Sequence, residues 1–228
     1  MNNLAIIPAR GGSKRIPRKN VKDFLGKPII AYSIEKALES KLFSEVMVST
    51  DDQEIADIAM QFGASVPTLR SSKNADDHAS TIDVLSEVVE YYASLNKQFD
   101  HVCCIYPTAP LISIEDLITG LKLLQEDSVH SVFPVVAFSY PIWRGLKSLG
   151  NNQMQMIWPD NIEVRTQNLD QAYHDAGQWY WFEAKKIGLT IFNEHSRSII
   201  LDELNVQDID NLADWKMAEI KYEFSRKG

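Results

Sequence analysis

The segment Ala9-Arg10-Gly11-Gly12-Ser13-Lys14-Arg15-Ile16-Pro17-Arg18-Lys19-Asn20 follows directly on the apolar run Leu4-Ala5-Ile6-Ile7-Pro8. Its residue types suit one task. Adjacent glycines let backbone N–H groups turn inward and cradle phosphate oxygens. Arg10 can grip a phosphate with its planar fork, while Lys14 and Lys19 add point charges. From Arg10 to Lys27 seven lysines and arginines face one acid, Asp23, in a chain whose 23 basic and 31 acidic residues leave a net charge of −8. Positive charge gathered in one place on an acidic protein excludes a general nucleic-acid or anionic-membrane surface and points to a local anion site. The spacing excludes two other phosphate loops. A Walker A motif separates its first glycine from Gly-Lys-Ser/Thr by a spacer, and a dinucleotide fingerprint reads G-x-G-x-x-G; Gly11 and Gly12 are adjacent.

The 228 residues suffice for one domain with a sizeable core, and 45% hydrophobic with 24% charged residues is the balance of a globular protein. Disordered, collagenous and disulfide-scaffold classes are excluded. Cys103 and Cys104 are adjacent within the apolar run Val102–Tyr106. On a strand they face opposite ways, and they read as buried thiols rather than as a disulfide or zinc site. No signal-peptide pattern or membrane-length apolar run occurs, so a cytoplasmic protein is expected.

The elements that must hold the basic loop are legible as a rhythm. Leu4–Pro8, Glu45–Thr50, His101–Tyr106 and Val129–Val136 read as buried strands. Helices are expected from Pro28, from Asp51 or Asp52 to Gly63, over Ser80–Leu95 and from Ser113, which opens a capping box. Such alternation predicts a doubly wound, mostly parallel α/β sheet with its ligand site at the strands' C-terminal ends. The rhythm breaks between about Phe138 and Asp170, where Gly150-Asn151-Asn152 and Trp158-Pro159-Asp160-Asn161 give hairpin signals. Its aromatics suggest a partner surface, with ordinary extra strands as the alternative. A strand at Gln178–Phe182, another near Ser198–Leu201 and a helix from Asn211 complete the chain, read as one domain over residues 1–228 with an insert at 138–170.

The basic segment resembles the signature of the cytidylyltransferases that activate nine-carbon acidic sugars, the sialic-acid synthetase family. Further likenesses follow in order: Leu42–Asp51 to the family's S-T-D strand, Tyr106-Pro107-Thr108-Ala109-Pro110-Leu111 to its Q-P-T-S-P-L turn, and Val206-Gln207-Asp208-Ile209-Asp210 to its D-I-D. The resemblance implies attack of an anomeric sugar hydroxyl on the α-phosphate of CTP, with release of pyrophosphate. It implies that Arg10 and Lys19 steady the α-phosphate and leaving group. Ser13, Lys14 and the backbone of Ala9, Gly11 and Gly12 would hold the other phosphates, and Asn20 the ribose. Arg70 and Thr81 fall where the family contacts the nucleotide, and read equally as a surface arginine and a helix-start threonine.

Asp208 and Asp210 share one side of an extended strand, which suits Mg²⁺ beside a triphosphate and also suits an acidic turn before a capped helix. Over Arg165–Tyr180 the chain resembles the family's sugar segment, which implies that Arg165, Gln167, Tyr173, His174, Asp175 and Gln178, with Tyr106 and Thr108, meet the sugar. His174, Ala176, Gln178-Trp179 and Tyr106 depart from the sialic-acid pattern and resemble the pseudaminic-acid branch. N-acetylneuraminate, legionaminate and the eight-carbon Kdo are rival sugars. More distant readings are a nucleotidyltransferase charging molybdopterin, and a regulatory nucleotide-binding module without chemistry. Intact Arg10, Lys19, Asp208 and Asp210 argue against the last. The family further implies a homodimer.

Overall fold

The computed structural model describes residues 2–75, 79–188 and 191–226. The first half runs β1 (Asn3–Pro8), a minimal hairpin of β2 (Asp23–Phe24) and β3 (Lys27–Pro28), α1 (Ile29–Ser40), β4 (Glu45–Ser49), α2 (Gln53–Gln61), α3 (Thr81–Ser94) and β5 (His101–Ile105). Then come α4 (Ile114–Leu124), β6 (Ser131–Ala137), a hairpin of β7 (Leu146–Gly150) and β8 (Gln153–Met156), β9 (Tyr173–Asp175), β10 (Trp179–Glu183), β11 (Ser196–Leu201) and α5 (Leu212–Ser225).

The main sheet has the order β11-β6-β10-β5-β1-β4, with β9 also on β6. Pairing is parallel for β4–β1–β5 and for β6–β11, as the alternation predicts. β10 is the reversed strand, antiparallel to both β5 and β6. It reaches that place because β9 and β10 run along the same edge of β6 and the register slips between them. The chain therefore bulges at Gly177, at φ 62°, while Ala176 still donates to the Pro134 carbonyl and Gln178 accepts from the Tyr106 N–H. A bulge re-aims the side chains beside it, and this one abuts the site.

Strand alternation divides the core. Ala5, Ile7, Val48, Cys103 and Ile105 pack on one face with Ile30 and Ile34 of α1 and Leu117 of α4. Leu4, Ile6, Met47, Val102 and Cys104 pack on the other with Leu85 and Val88 of α3. The two cysteines are fully buried on opposite faces, as their adjacency requires. A third cluster joins Phe24, Tyr32, Trp215 and Ala218, and its edge members Ile16 and Ile209 anchor the basic loop and the D-I-D segment to each other's neighbourhood.

Helix starts follow their caps. Asp52, rather than Asp51, caps α2 by accepting from the Ile55 N–H, and Ser80 with Asp83 closes a reciprocal box on α3. Ser113 accepts from Asp116 N–H but its hydroxyl turns to Glu115, so α4 has a one-sided cap in place of the expected box. In the 138–170 stretch one hairpin forms instead of several. Gly150, Asn151 and Asn152 all take positive φ at its tip, and β7 is exposed throughout. Among the described residues no helix is long and apolar enough to cross a membrane.

Candidate active site

The loop leaving β1 wraps a cleft of about 420 Å³ at the C-terminal end of that strand. Arg10, Ser13, Lys14, Arg15, Lys19 and Asn20 line it from the loop, Arg70 and Thr81 from the far wall, and Tyr106, Thr108 and Asp210 from the remaining sides. Five cations thus face a cavity with one carboxylate. Lys19 donates to the Ile209 carbonyl at 2.7 Å, and burial lowers its pKa against the opposing pull of Asp210 and Asp208. Arg70 bonds Ser49 through Nε at 3.0 Å, and burial lowers its pKa as well. Desolvated cations held side by side gain most from a polyanion, which repairs both desolvation and mutual repulsion.

Asn20 is buried and donates its amide to the Arg10 carbonyl at 2.9 Å, pinning the start of the loop. Ala9 is buried too and donates to the Ser49 carbonyl, extending the β1–β4 pairing into the loop. Gly11 donates its N–H to Asp51 Oδ1 at 3.0 Å, so that amide shapes the loop instead of meeting a phosphate. Gly12 has open space where a side chain would project.

A second cleft, about 260 Å³, lies beyond the D-I-D segment and is lined by His174, Asp175, Glu203, Gln207, Asp208 and Lys221 with Val136, Ala176 and Val206. Asp210 borders the first cleft and Asp208 the second. Buried Ile209 separates them. Asp210 pairs with Arg15 at 2.6 Å. Burial pushes the Asp208 carboxyl up, and Asp210 adds to the shift. Two carboxylates two residues apart beside a polyanion cleft fit a hard divalent cation, with water and phosphate oxygens completing its shell. Among the described residues no cluster of three or more His, Cys, Asp or Glu forms, so such an ion would have few protein ligands.

A hydrogen-bonded chain runs between the clefts. Thr81 Oγ1 lies 3.3 Å from Tyr106 Oη. Buried Tyr180 stands beside Tyr106 with ring centroids 5.3 Å apart and donates to Asp175 Oδ2 at 2.5 Å. Burial pushes both phenols up. Asp175 Oδ1 accepts the Gly177 N–H at 2.9 Å, which holds the bulge.

The structure therefore gathers Arg10, Ser13, Lys14, Lys19, Asn20, Arg70, Thr81, Tyr106, Thr108 and Asp210 around one cleft, and His174, Asp175 and Asp208 around its neighbour. Other expected positions fall elsewhere. Gln178 is only 2% exposed and spends its amide on the Asn205 carbonyl at 2.7 Å, so it ties down the turn before the D-I-D segment instead of meeting a sugar. Tyr173, Arg165 and Gln167 are exposed and line neither cleft within one chain. Sequence reasoning missed Arg15 as the partner of Asp210, although it sits in the basic run. It also missed Glu203, Gln207 and Lys221, which come together because Lys221 of α5 donates to the Glu203 and Val206 carbonyls.

A nucleotide-sized cleft at the C-terminal end of β1, rimmed by cations, with Asp210 on its wall and Asp208 just beyond, is a candidate nucleotide-binding site on a mixed α/β sheet. The fold is similar to that of a CMP:2-keto-3-deoxy-manno-octonic acid synthetase complexed with CTP, with TM-score 0.72 and 20% identity, covering 100% of both chains. The sequence supplies the narrower grouping: residues 4–144 match the Cytidylyltransferase family model, and the chain belongs to that family. It is 44% identical over 230 residues to the pseudaminic acid cytidylyltransferase of Campylobacter jejuni subsp. jejuni serotype O:2, covering 100% of this chain and 99% of that one. To the CMP-N,N'-diacetyllegionaminic acid synthase of Legionella pneumophila it is 34% identical, with 100% and 99% covered.

Proposed function

We propose that this protein transfers CMP from CTP to a nine-carbon acidic sugar, with pseudaminic acid preferred. The anomeric oxygen of the sugar forms a bond to the α-phosphorus, the bond to the bridging oxygen of the β-phosphate breaks, and pyrophosphate leaves as the hydroxyl proton passes to solvent. The observation that carries the reading is the convergence of Arg10, Lys14, Lys19 and Arg70 on one cleft beside Asp208 and Asp210, in a chain of this family.

In this assignment Arg10 and Lys19 hold the α-phosphate and the departing pyrophosphate, where positive charge lowers the barrier most. Ser13 and Lys14 hold the outer phosphates. Asn20, Arg70 and Thr81 surround the nucleoside end. Asp208 and Asp210 would hold Mg²⁺, which when bound would spread the charge of the triphosphate. The second cleft takes the sugar, with His174 and Asp175 as its polar floor and Tyr106 and Thr108 at the junction. We place the protein in the cytoplasm with its CTP, as a homodimer through the 138–170 hairpin.

Preference among sugars follows from the donors present. His174 spends Nδ1 on the Asp175 carbonyl at 2.9 Å and rests against Phe138, and Ala176 offers no polar group at all. A site with these residues suits a sugar bearing two acylated amines better than N-acetylneuraminate, because a buried unpaired polar group costs about 1–3 kcal/mol. The test is pyrophosphate release from CTP with a panel of pseudaminic acid, legionaminic acid, N-acetylneuraminate and Kdo. The highest kcat/KM is expected for pseudaminic acid, by about tenfold or more. Equal or better use of N-acetylneuraminate overturns the sugar assignment alone. No release with any sugar overturns the transferase assignment.

A further inference from the structure

The basic loop is closed at its base, and the residue that closes it lies outside the cleft. Arg18 takes φ 55° and ψ 31°, the left-handed region that residues other than glycine adopt uncommonly. Its guanidinium reaches 34 residues along the chain to Asp52, with Nη1 2.5 Å from Oδ2 and Nη2 3.0 Å from Oδ1, and also meets Glu54. The same Asp52 carboxylate caps α2 and presses on the other end of the loop. A Cβ built on Gly11 would stand 2.6 Å from Asp52 Oδ2, so residue 11 has room for no side chain. Beside it, the Gly11 N–H donates to Asp51 Oδ1 at 3.0 Å.

Residues 11 and 18 are thus both fastened to the Asp51–Asp52 pair just beyond β4, and Ser13, Lys14, Arg15 and Ile16 between them line the cleft. The Arg18 carbonyl accepts the N–H groups of Val21 and Lys22, each at 3.0 Å, in the tight turn that carries Lys19 and Asn20. Arg18 is therefore spent on the protein and is not among the cleft-lining cations.

We infer that Arg18 and Asp52 are positioning residues: their fork-to-carboxylate brace holds the phosphate loop in its triphosphate-binding shape without touching the nucleotide. The inference rests on the transferase reading for its kinetic consequences and on the apo chain alone for its structural ones. Arg18→Met and Asp52→Asn, the latter keeping an oxygen for the α2 cap, are each expected to raise the KM for CTP and lower kcat by about tenfold in sum, since a small misplacement of charge is costly. The sugar KM should stay within about twofold, and Arg18→Lys should recover part of the loss. The double variant should be no worse than the worse single variant, because both remove one interaction. In the nucleotide-free proteins, amide hydrogen exchange over residues 11–17 should quicken while exchange in β1 and α1 does not. Unchanged exchange in both variants overturns the brace whether or not the chain proves active. So do CTP kinetics equal to wild type in an active enzyme, or CTP and sugar constants that worsen together in step with melting temperature. A wild-type chain that releases no pyrophosphate sinks the transferase reading and leaves the exchange comparison to decide the brace.

Discussion

Arg10 and Lys19 differ in how they are held, and their substitutions should differ accordingly. The Lys19 ammonium is fixed to the Ile209 carbonyl within the field of Asp210 and Asp208, whereas Arg10 is anchored through its backbone by Asn20. Arg10→Ala and Lys19→Ala should each lower kcat by an amount equivalent to about 2.7–4 kcal/mol, the usual loss for one preorganised charge contact in a transition state. Steady-state pyrophosphate release reads this directly, and near-normal turnover in both variants would refute the roles. Lys19→Ala also removes a cation that acts on both Asp208 and Asp210, so its loss should be partly offset at high Mg²⁺. Asp208→Asn and Asp210→Asn should weaken Mg²⁺ dependence in turn, because amides are poorer ligands for a hard cation. Full activity after chelator treatment would remove the metal altogether.

At the scale of elements, two close approaches make firm predictions. Helix α4 meets β10 at Gly120, where an added Cβ would fall 2.5 and 2.7 Å from ring carbons of Trp179. Both Trp179 and neighbouring Trp181 are fully buried, so neither ring can withdraw. Gly120→Ala should destabilise by about 1–3 kcal/mol through overpacking despite its better helix propensity, as measured by denaturant unfolding. At the head of β4, the Glu45 carboxylate is pushed up by burial but held below the usual range by hydrogen bonds from Lys97, from Tyr92 at 2.7 Å and from Ser65 at 2.7 Å. A depressed carboxylate stabilises the fold above its unfolded pKa, and that contribution is lost as pH falls through the folded value. Glu45→Gln should lower stability at neutral pH by about 1.5–3 kcal/mol and flatten the acid-side decline, which melts at pH 7 and pH 3 would show. These elements also show what local pattern can carry. The buried run of β1, the Asp52 and Ser80 caps and the cysteine alternation are local, and were readable in the residues themselves. The direction of β10 is not local: Trp179–Glu183 is equally apolar in either sense, and only the β9 bulge on β6 decides it. For the same reason the basic loop was legible while Gln178, Glu203 and Lys221 were not, since their neighbours lie tens of residues away and meet only through that topology.

For the whole molecule, the outstanding feature is the β7–β8 hairpin, a separate two-stranded sheet that packs into no core cluster. Leu146, Leu149 and Met154 are each more than half exposed on it, and Ile162 and Tyr140 beside it are more exposed still. A two-stranded ribbon gains too little burial to stand alone in water, so its pairing argues that something covers it. We assign that cover to a second copy of the chain, which would also explain why Arg165 and Gln167, in the sugar segment by resemblance, line neither cleft of their own protomer. Leu146→Ser with Met154→Ser should convert a dimer to a monomer in light scattering while leaving β1 to β6 folded. If Arg165 serves the partner's sugar site, the monomer should keep its affinity for CTP, whose cleft lies within one chain, and lose kcat/KM for the sugar by about tenfold or more. Arg165→Ala in the intact dimer should reproduce the sugar defect without the change in mass. A wild-type protein that is monomeric at micromolar concentration and fully active would refute both the interface and the role of Arg165, and the exposed hairpin would then need a different partner.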